Sequence, residues 1–169
     1  MRLPTLFCAL LALPLAAASF ELSIADPELM VAVPGLPDVR LAPQAVAAPP
    51  VVRLLEGSDG VYQVSVAVTT TGTEVSPRGC AGSLLRALVA RPGMPGRDSI
   101  YRAPLDQDTF LVLYIVGSPA TRQLHAHLLS SASTKHCVEF HASRPDRPGE
   151  EVDEWRKTFV GSRIRSARQ

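Results

Sequence analysis

The segment VYQVSVAVT, residues 61–69, decides the fold class that we predict. Its larger apolar side chains alternate with small or polar ones, and they are Tyr62, Val64, Val66 and Val68. Successive side chains of a β-strand point to opposite faces of the sheet, so this pattern predicts a half-buried strand. The glycines and the aspartate of residues 56–60 indicate a turn before it. Residues 51–55 are apolar and predict another short strand ahead of that turn.

The chain after residue 69 predicts two helices and three strands. They are a helix over residues 80–91, strands over 99–103 and 109–116, a helix over 118–131 and a strand over 136–141. Leucines at helical spacing indicate the first helix, while Ser118 and Pro119 are typical of a helix start. Together with the strand at 61–69, this is the order of a ferredoxin-like βαββαβ sheet, so we expect an α+β fold. In that fold the strand at 136–141 runs antiparallel beside the strand at 61–69. A hairpin between the strands at 51–55 and 61–69 would compete for the same edge of the strand at 61–69.

Two further segments flank these elements. Residues 20–50 contain six prolines among many apolar residues, and we expect a Pro-rich extended arm that packs partly on the domain. A flexible N-terminus is the alternative. Residues 150–160 predict a C-terminal helix, because acidic residues fill its first turn and Trp155 and Phe159 share one face. Residues 51–169 are therefore expected to form a single α+β domain with this C-terminal helix.

Residues 1–19 have the pattern of a secretory signal peptide. Arg2 precedes an apolar core over residues 3–15, and three alanines at 16–18 suit signal peptidase cleavage. The core is shorter than the roughly 20 residues of a membrane-spanning helix, and the rest of the chain holds no longer apolar stretch, so we expect no membrane span. The abundance of Arg, Ala and Pro is typical of a GC-rich bacterial genome. We therefore expect a periplasmic or secreted protein that begins near Phe20.

The cysteines predict one disulfide. Cys8 lies inside the signal core, which leaves Cys80 and Cys137, 57 residues apart, in an oxidising compartment. Closing a loop of that length stabilises a protein by roughly 3–4 kcal/mol. A reactive thiol or a metal site is the alternative. The predicted topology favours the disulfide, because it places the start of the first helix beside the start of the last strand.

Charge and motifs exclude several functions. Without Arg2 the chain has 16 basic and 16 acidic residues, so neither nucleic acid nor an anionic membrane surface is expected as the main partner. The sequence has no phosphate-binding glycine loop, no dinucleotide fingerprint and no Gly-x-Ser-x-Gly motif. We therefore expect no cofactor and no catalytic residue of those classes.

Four histidines lie close together in sequence: His125, His127, His136 and His141. Two residues apart on the predicted helix, His125 and His127 are expected to diverge, since metal-ligand pairs on a helix lie three or four residues apart. On the following strand, His136 and His141 are separated by an odd number of residues and face opposite sides. No metal site is therefore predicted.

These patterns together predict a non-enzymatic, exported domain that binds an envelope or secreted protein, such as an envelope-complex component or an inhibitor or immunity-type protein. The arm at 20–50 is one candidate contact. Trp155 and Phe159, with a basic rim at Arg163, Arg165 and Arg168, are candidate partner-binding residues, although a core position is the competing interpretation. The alternative function is a small envelope hydrolase or metal-dependent enzyme that uses His136 or His141 with Glu139 or Asp146. A third hypothesis is small-ligand sensing by the open face of the sheet.

Overall fold

A computed structural model of the chain describes residues 19–25, 28–46, 49–118, 120–133, 135–147 and 152–166. The predicted signal peptide, apart from Ser19, lies outside these residues. No helix within the described ranges has the length and apolar character needed to cross a membrane.

The described residues form ten strands, two α-helices and a 3-10 turn at Arg97–Ser99. In chain order they are β1 (Phe20–Ala25), β2 (Glu28–Val33), β3 (Ala42–Pro43), β4 (Val51–Ser58), β5 (Gln63–Thr70), α1 (Pro77–Val89), β6 (Tyr101–Pro104), β7 (Phe110–Val116), β8 (Gln123–Ser133), β9 (His136–Pro145), α2 (Val152–Lys157) and β10 (Arg163–Ser166). Ser76 caps α1, because its side chain accepts a hydrogen bond from the Gly79 amide and Pro77 occupies the first turn.

The strands form two antiparallel sheets. The larger has seven strands in the order β3-β4-β5-β9-β8-β7-β6, and the smaller has three in the order β1-β2-β10. The predicted pairing of the strands at 61–69 and 136–141 is confirmed as β5 beside β9. The expected competition with the strand at 51–55 does not arise, because β4 pairs with the other edge of β5.

The two faces of the seven-stranded sheet are covered differently. Its inner face packs against the three-stranded sheet and α2 in one apolar core. The largest fully buried side chains of that core include Trp155, Phe20, Phe140, Phe159, Leu29, Leu111, Leu113, Leu124 and Leu128. On the outer face, α1 contacts β7, β8 and β9. A smaller apolar cluster lies between them, built around Leu88, Val112 and Leu129.

The ferredoxin-like prediction is wrong, because the chain is mostly β and forms two sheets. The main error is the helix expected over residues 118–131, where the structure has β8. Leu124 and Leu128 are four residues apart, a spacing that suits one face of a helix and one face of a strand equally. Hydrogen-bonded neighbours on both sides, β7 and β9, outweigh the helix propensity of leucine and alanine.

The Pro-rich segment forms strands as well as connections. Strands β1 and β2 pair antiparallel, and Phe20, Leu29 and Leu36 are fully buried. The prolines at 34 and 37 follow β2, where no sheet hydrogen bond is required. At Gly35 an added Cβ would lie 2.4 Å from the Thr158 carbonyl oxygen, so only glycine permits this close approach to the end of α2.

The predicted disulfide is confirmed. Cys80 in the first turns of α1 is bonded to Cys137 near the start of β9, with an S–S distance of 2.02 Å and a Cα–Cα distance of 5.7 Å. Both values are those of an ordinary disulfide. The bond holds α1 against the outer face of the large sheet.

Candidate functional site

The outer face of the seven-stranded sheet carries a cluster of titratable rings beside α1. On β8, His125 and His127 are two residues apart and therefore lie on the same face. The sheet register places His127 opposite His141 of β9, and His125 opposite Tyr114 of β7. Three neighbouring strands thus bring three histidines and a tyrosine together.

The rings of this cluster are stacked nearly parallel. The His127 and His141 centroids are 4.4 Å apart with an interplanar angle of 18°, and the Tyr114 and His125 centroids are 5.0 Å apart with an angle of 8°. The lone pair of an imidazole nitrogen lies in the plane of its ring. Because these rings are nearly parallel, their lone pairs do not converge on one point. In agreement, the described residues contain no group of three or more His, Cys, Asp or Glu arranged to hold a metal ion.

A hydrogen-bonded chain joins Glu139, His127 and Tyr114. The His127 Nδ1 atom is 2.7 Å from Glu139 Oε1, and its Nε2 atom is 2.8 Å from the Tyr114 hydroxyl. A carboxylate only accepts hydrogen bonds, so Nδ1 donates to it, and in a neutral imidazole Nε2 then accepts from the tyrosine O–H. Burial, and secondly the charge of Glu139, raise the pKa of Tyr114 to about 12. The tyrosine therefore remains a protonated donor.

A second hydrogen bond joins His125 and His141, whose Nδ1 and Nε2 atoms are 3.0 Å apart. Burial is the main cause that lowers the pKa of His125 to about 4 and that of His141 to about 2, with the neighbouring histidines adding to it. Both rings are therefore neutral at pH 7. The Nε2 atom of His125 is buried and has no hydrogen-bond partner within the described residues.

Two cavities adjoin the cluster. The first, which we call the helix-side cleft, has a volume of about 340 Å³ and lies between α1 and the sheet. The second, the open-face groove, has a volume of about 520 Å³ and lies over β4 and β5. His141 lines both. The cleft is also lined by Leu84, Leu88, Arg91, Met94, Tyr114, Val116, His125, His127 and Glu139. The groove is also lined by Gln44, Glu56, Gly57, Ser58, Gln63, Val64 and Ser65.

The structure does not bring the predicted catalytic candidates together. His136 and His141 lie at the first and sixth positions of β9, which face opposite sides of the sheet. Glu139 is hydrogen-bonded to His127, and Asp146 forms an ion pair with Arg122 at 2.9 Å. His127 was not among the predicted site residues.

Trp155 and Phe159, the candidate partner-binding residues, lie in the core. They are 1% and 0% exposed, and their rings pack edge to face with centroids 4.8 Å apart. The guanidinium of Arg144 lies 4.6 Å from the centre of the Trp155 ring. Arg163 and Arg165 of the expected basic rim are exposed on β10, and Arg168 lies outside the described residues.

No protein-family model matches this sequence, and no curated protein is significantly similar to it. The function is therefore inferred from the geometry of the outer face. The signal that could have found this cluster is the alternation of apolar residues and histidines over 124–128, because a period of two places His125 and His127 on one face of a strand.

Proposed function

We propose that the chain is an exported, non-enzymatic domain that binds a partner protein through the outer face of its seven-stranded sheet. This proposal is supported by the packing on that face, of which one part is covered by a helix and another part is left accessible. Helix α1 packs on β7, β8 and β9, whereas the open-face groove lies over β4 and β5. A partner can therefore contact both the accessible surface of β4 and β5 and the adjacent side of α1.

The chemistry of this surface favours a polar, weakly charged contact. The outward positions of β4 and β5 follow from their pairing with each other and with β9, and they are Leu54, Glu56, Ser58, Gln63, Ser65, Ala67 and Thr69. Only Glu56 among them carries a charge. Four of them have short side chains that lose little rotamer entropy when they are covered, namely Ser58, Ser65, Ala67 and Thr69. A partner therefore covers this part of the surface at a small entropic cost.

The cluster beside the groove supports binding more than catalysis. A nucleophilic tyrosine needs a lowered pKa, but that of Tyr114 is raised to about 12, and its side chain is only 4% exposed. The Cys80–Cys137 disulfide fits an oxidising compartment, which agrees with the export predicted from residues 1–19.

The experiment compares two serines on opposite sides of the molecule. A photo-crosslinking amino acid replaces Ser65 in the groove or, as the control, Ser23 on the exposed side of β1. In cells that produce the protein, we expect a protein adduct at position 65 that does not form at position 23. The same adducts at both positions would contradict the proposal.

The partner identified in this way then allows an affinity measurement. Ser65→Arg places a long cation in the groove, and we expect it to weaken the purified complex about tenfold or more. Ser23→Arg introduces the same side chain on β1 and is expected to leave the affinity unchanged. Equal affinities of both variants would show that the partner binds elsewhere.

A second candidate is a small hydrolase, and one observation favours it. Glu139, His127 and Tyr114 form the ordered chain of acid, imidazole and hydroxyl that nucleophilic catalysis uses. If the protein cleaves a simple aryl ester, His127→Gln should abolish turnover while His136→Gln retains it. Equal residual rates in the two variants would exclude this candidate.

A further inference from the structure

A third cavity lies at the N-terminal end of α1, away from the histidine cluster. Its volume is about 690 Å³, within the range of roughly 300–1,000 Å³ that is usual for small-molecule sites. Its walls come from the start of α1, the 3-10 turn, β6 and the segment before β7. The lining residues are Ser76, Pro77, Arg78, Ala81, Gly82, Leu85, Arg97, Arg102, Pro104, Asp106, Gln107, Thr109 and Phe110.

Three arginines from three different elements line this cavity: Arg78, Arg97 and Arg102. None of them has an ion-pair partner within the described part of the chain. The carboxylate of the cavity is already engaged, because Asp106 Oδ1 accepts from the amides of Asp108 at 2.8 Å and Thr109 at 2.6 Å. The cavity therefore has a local excess of positive charge, although the acidic and basic residues of the whole chain nearly balance.

The cavity also has an apolar part to its lining. Leu85 and Phe110 are half-buried members of the cluster beneath α1, and Ala81 is fully buried there. A lining that contains both guanidinium groups and apolar side chains suits a molecule that combines an anion with an apolar body. The positive end of the α1 dipole adds to the field of the arginines at the same position.

From these observations we infer that this cavity is a binding site for an organic phosphate, with the phosphate held by Arg78, Arg97 and Arg102 and its apolar body against Leu85 and Phe110. Guanidinium groups bind phosphate oxygens in pairs, and three of them suit a dianion better than a single carboxylate. The phosphate belongs either to a soluble ester or to a lipid headgroup, which present the same chemistry.

Calorimetry on the purified, disulfide-bonded protein tests this inference with inorganic phosphate and phenyl phosphate. We expect phenyl phosphate to bind about tenfold more tightly, because its ring covers Leu85 and Phe110. Arg102→Gln should weaken that binding about fivefold, as should Arg78→Gln and Arg97→Gln, and added salt should weaken it further. Arg163→Gln, at an exposed arginine of β10, is the matched control and should leave the affinity unchanged.

Vesicles distinguish the two sources of phosphate. Binding to phosphatidylcholine vesicles only when they contain phosphatidic acid, and its loss in Arg102→Gln, would assign the site to a lipid headgroup. Phenyl phosphate binding without vesicle binding would assign it to a soluble ester. The inference is overturned if neither probe binds, if Arg163→Gln weakens binding as much as Arg102→Gln, or if inorganic phosphate binds as tightly as phenyl phosphate.

Discussion

The inner and outer faces of the seven-stranded sheet are made by the same strands but contain different chemistry. On β8 the inner positions are Leu124, Ala126 and Leu128, which belong to the main core, and the alternate positions include His125 and His127. On β9 the inner Phe140 is flanked by the outer Glu139 and His141. In each of these strands, every second residue therefore packs in the core, and the alternate residues are available for hydrogen bonds and binding.

Polar groups can be enclosed on one face of a sheet when their hydrogen bonds are made locally. Water is excluded from the inner face by its apolar side chains and by the three-stranded sheet that packs on them. The outer face encloses His127, only 4% exposed, because Tyr114 and Glu139 satisfy both of its ring nitrogens. Removal of apolar volume should therefore damage the inner face most, while proton uptake or loss of a hydroxyl should damage the outer face.

The largest expected effect is on the inner face. Phe140 is fully buried at the centre of the main core, with its ring centroid 5.3 Å from that of Phe20 of the smaller sheet. Phe140→Ala leaves a cavity between the two sheets, and we expect a loss of about 3–5 kcal/mol in the free energy of unfolding. Urea denaturation measures this loss. A loss below about 1 kcal/mol would show that the two sheets do not share a continuous core.

The same two faces explain which parts of the fold the sequence predicts. The alternation at 62–68 is unambiguous, because valine favours strands and no helical period fits it, and β5 is found there. The disulfide is predicted because only two cysteines remain after the expected signal peptide. Residues 123–131 mix histidine, alanine, leucine and serine, and local preference there favours a helix. Pairing with the neighbouring strands β7 and β9 outweighs this local preference, and the short alternation over 124–128 is the one local sign of it.

The candidate site was missed for the same reason. Treated as helical, His125 and His127 diverge, whereas on β8 they share a face. Their contacts with Tyr114 and His141 come from strands that are distant in sequence. Spacing rules apply only once the element type is known, so a helix predicted over 118–131 separates side chains that the strand β8 brings together.

The second effect is a loss of stability in acid that originates on the outer face. His125 and His141 have folded pKa values of about 4 and about 2, below the ordinary value of 6.5, so the unfolded chain binds more protons as the pH falls below 6.5. Their contribution to stability is complete above pH 6.5 and decreases below it. At about 1.4 kcal/mol for each pH unit, the well-buried His141 alone accounts for roughly 3 kcal/mol by pH 4, with a smaller share from the more exposed His125.

Urea titrations between pH 7 and pH 4.5 measure this loss before most carboxylates titrate. His141→Gln removes one of the two groups and should flatten the pH dependence. His136→Gln, at the start of β9 and outside the cluster, is the control and should leave a steeper pH dependence than His141→Gln. Equal slopes in both variants would mean that the buried pair does not control stability in acid.

The smallest effect compares one hydroxyl on each face. Tyr114→Phe on the outer face leaves the buried His127 Nε2 acceptor without its donor, and we expect a loss of about 1–2 kcal/mol in the free energy of unfolding. Tyr62→Phe is the matched control, because the Tyr62 ring stacks on Trp155 with centroids 6.1 Å apart and that contact needs no hydroxyl. We expect the control to lose less than about 0.5 kcal/mol. Equal losses would mean that His127 finds another donor, and the hydrogen-bonded chain would not explain how the outer face encloses this ring.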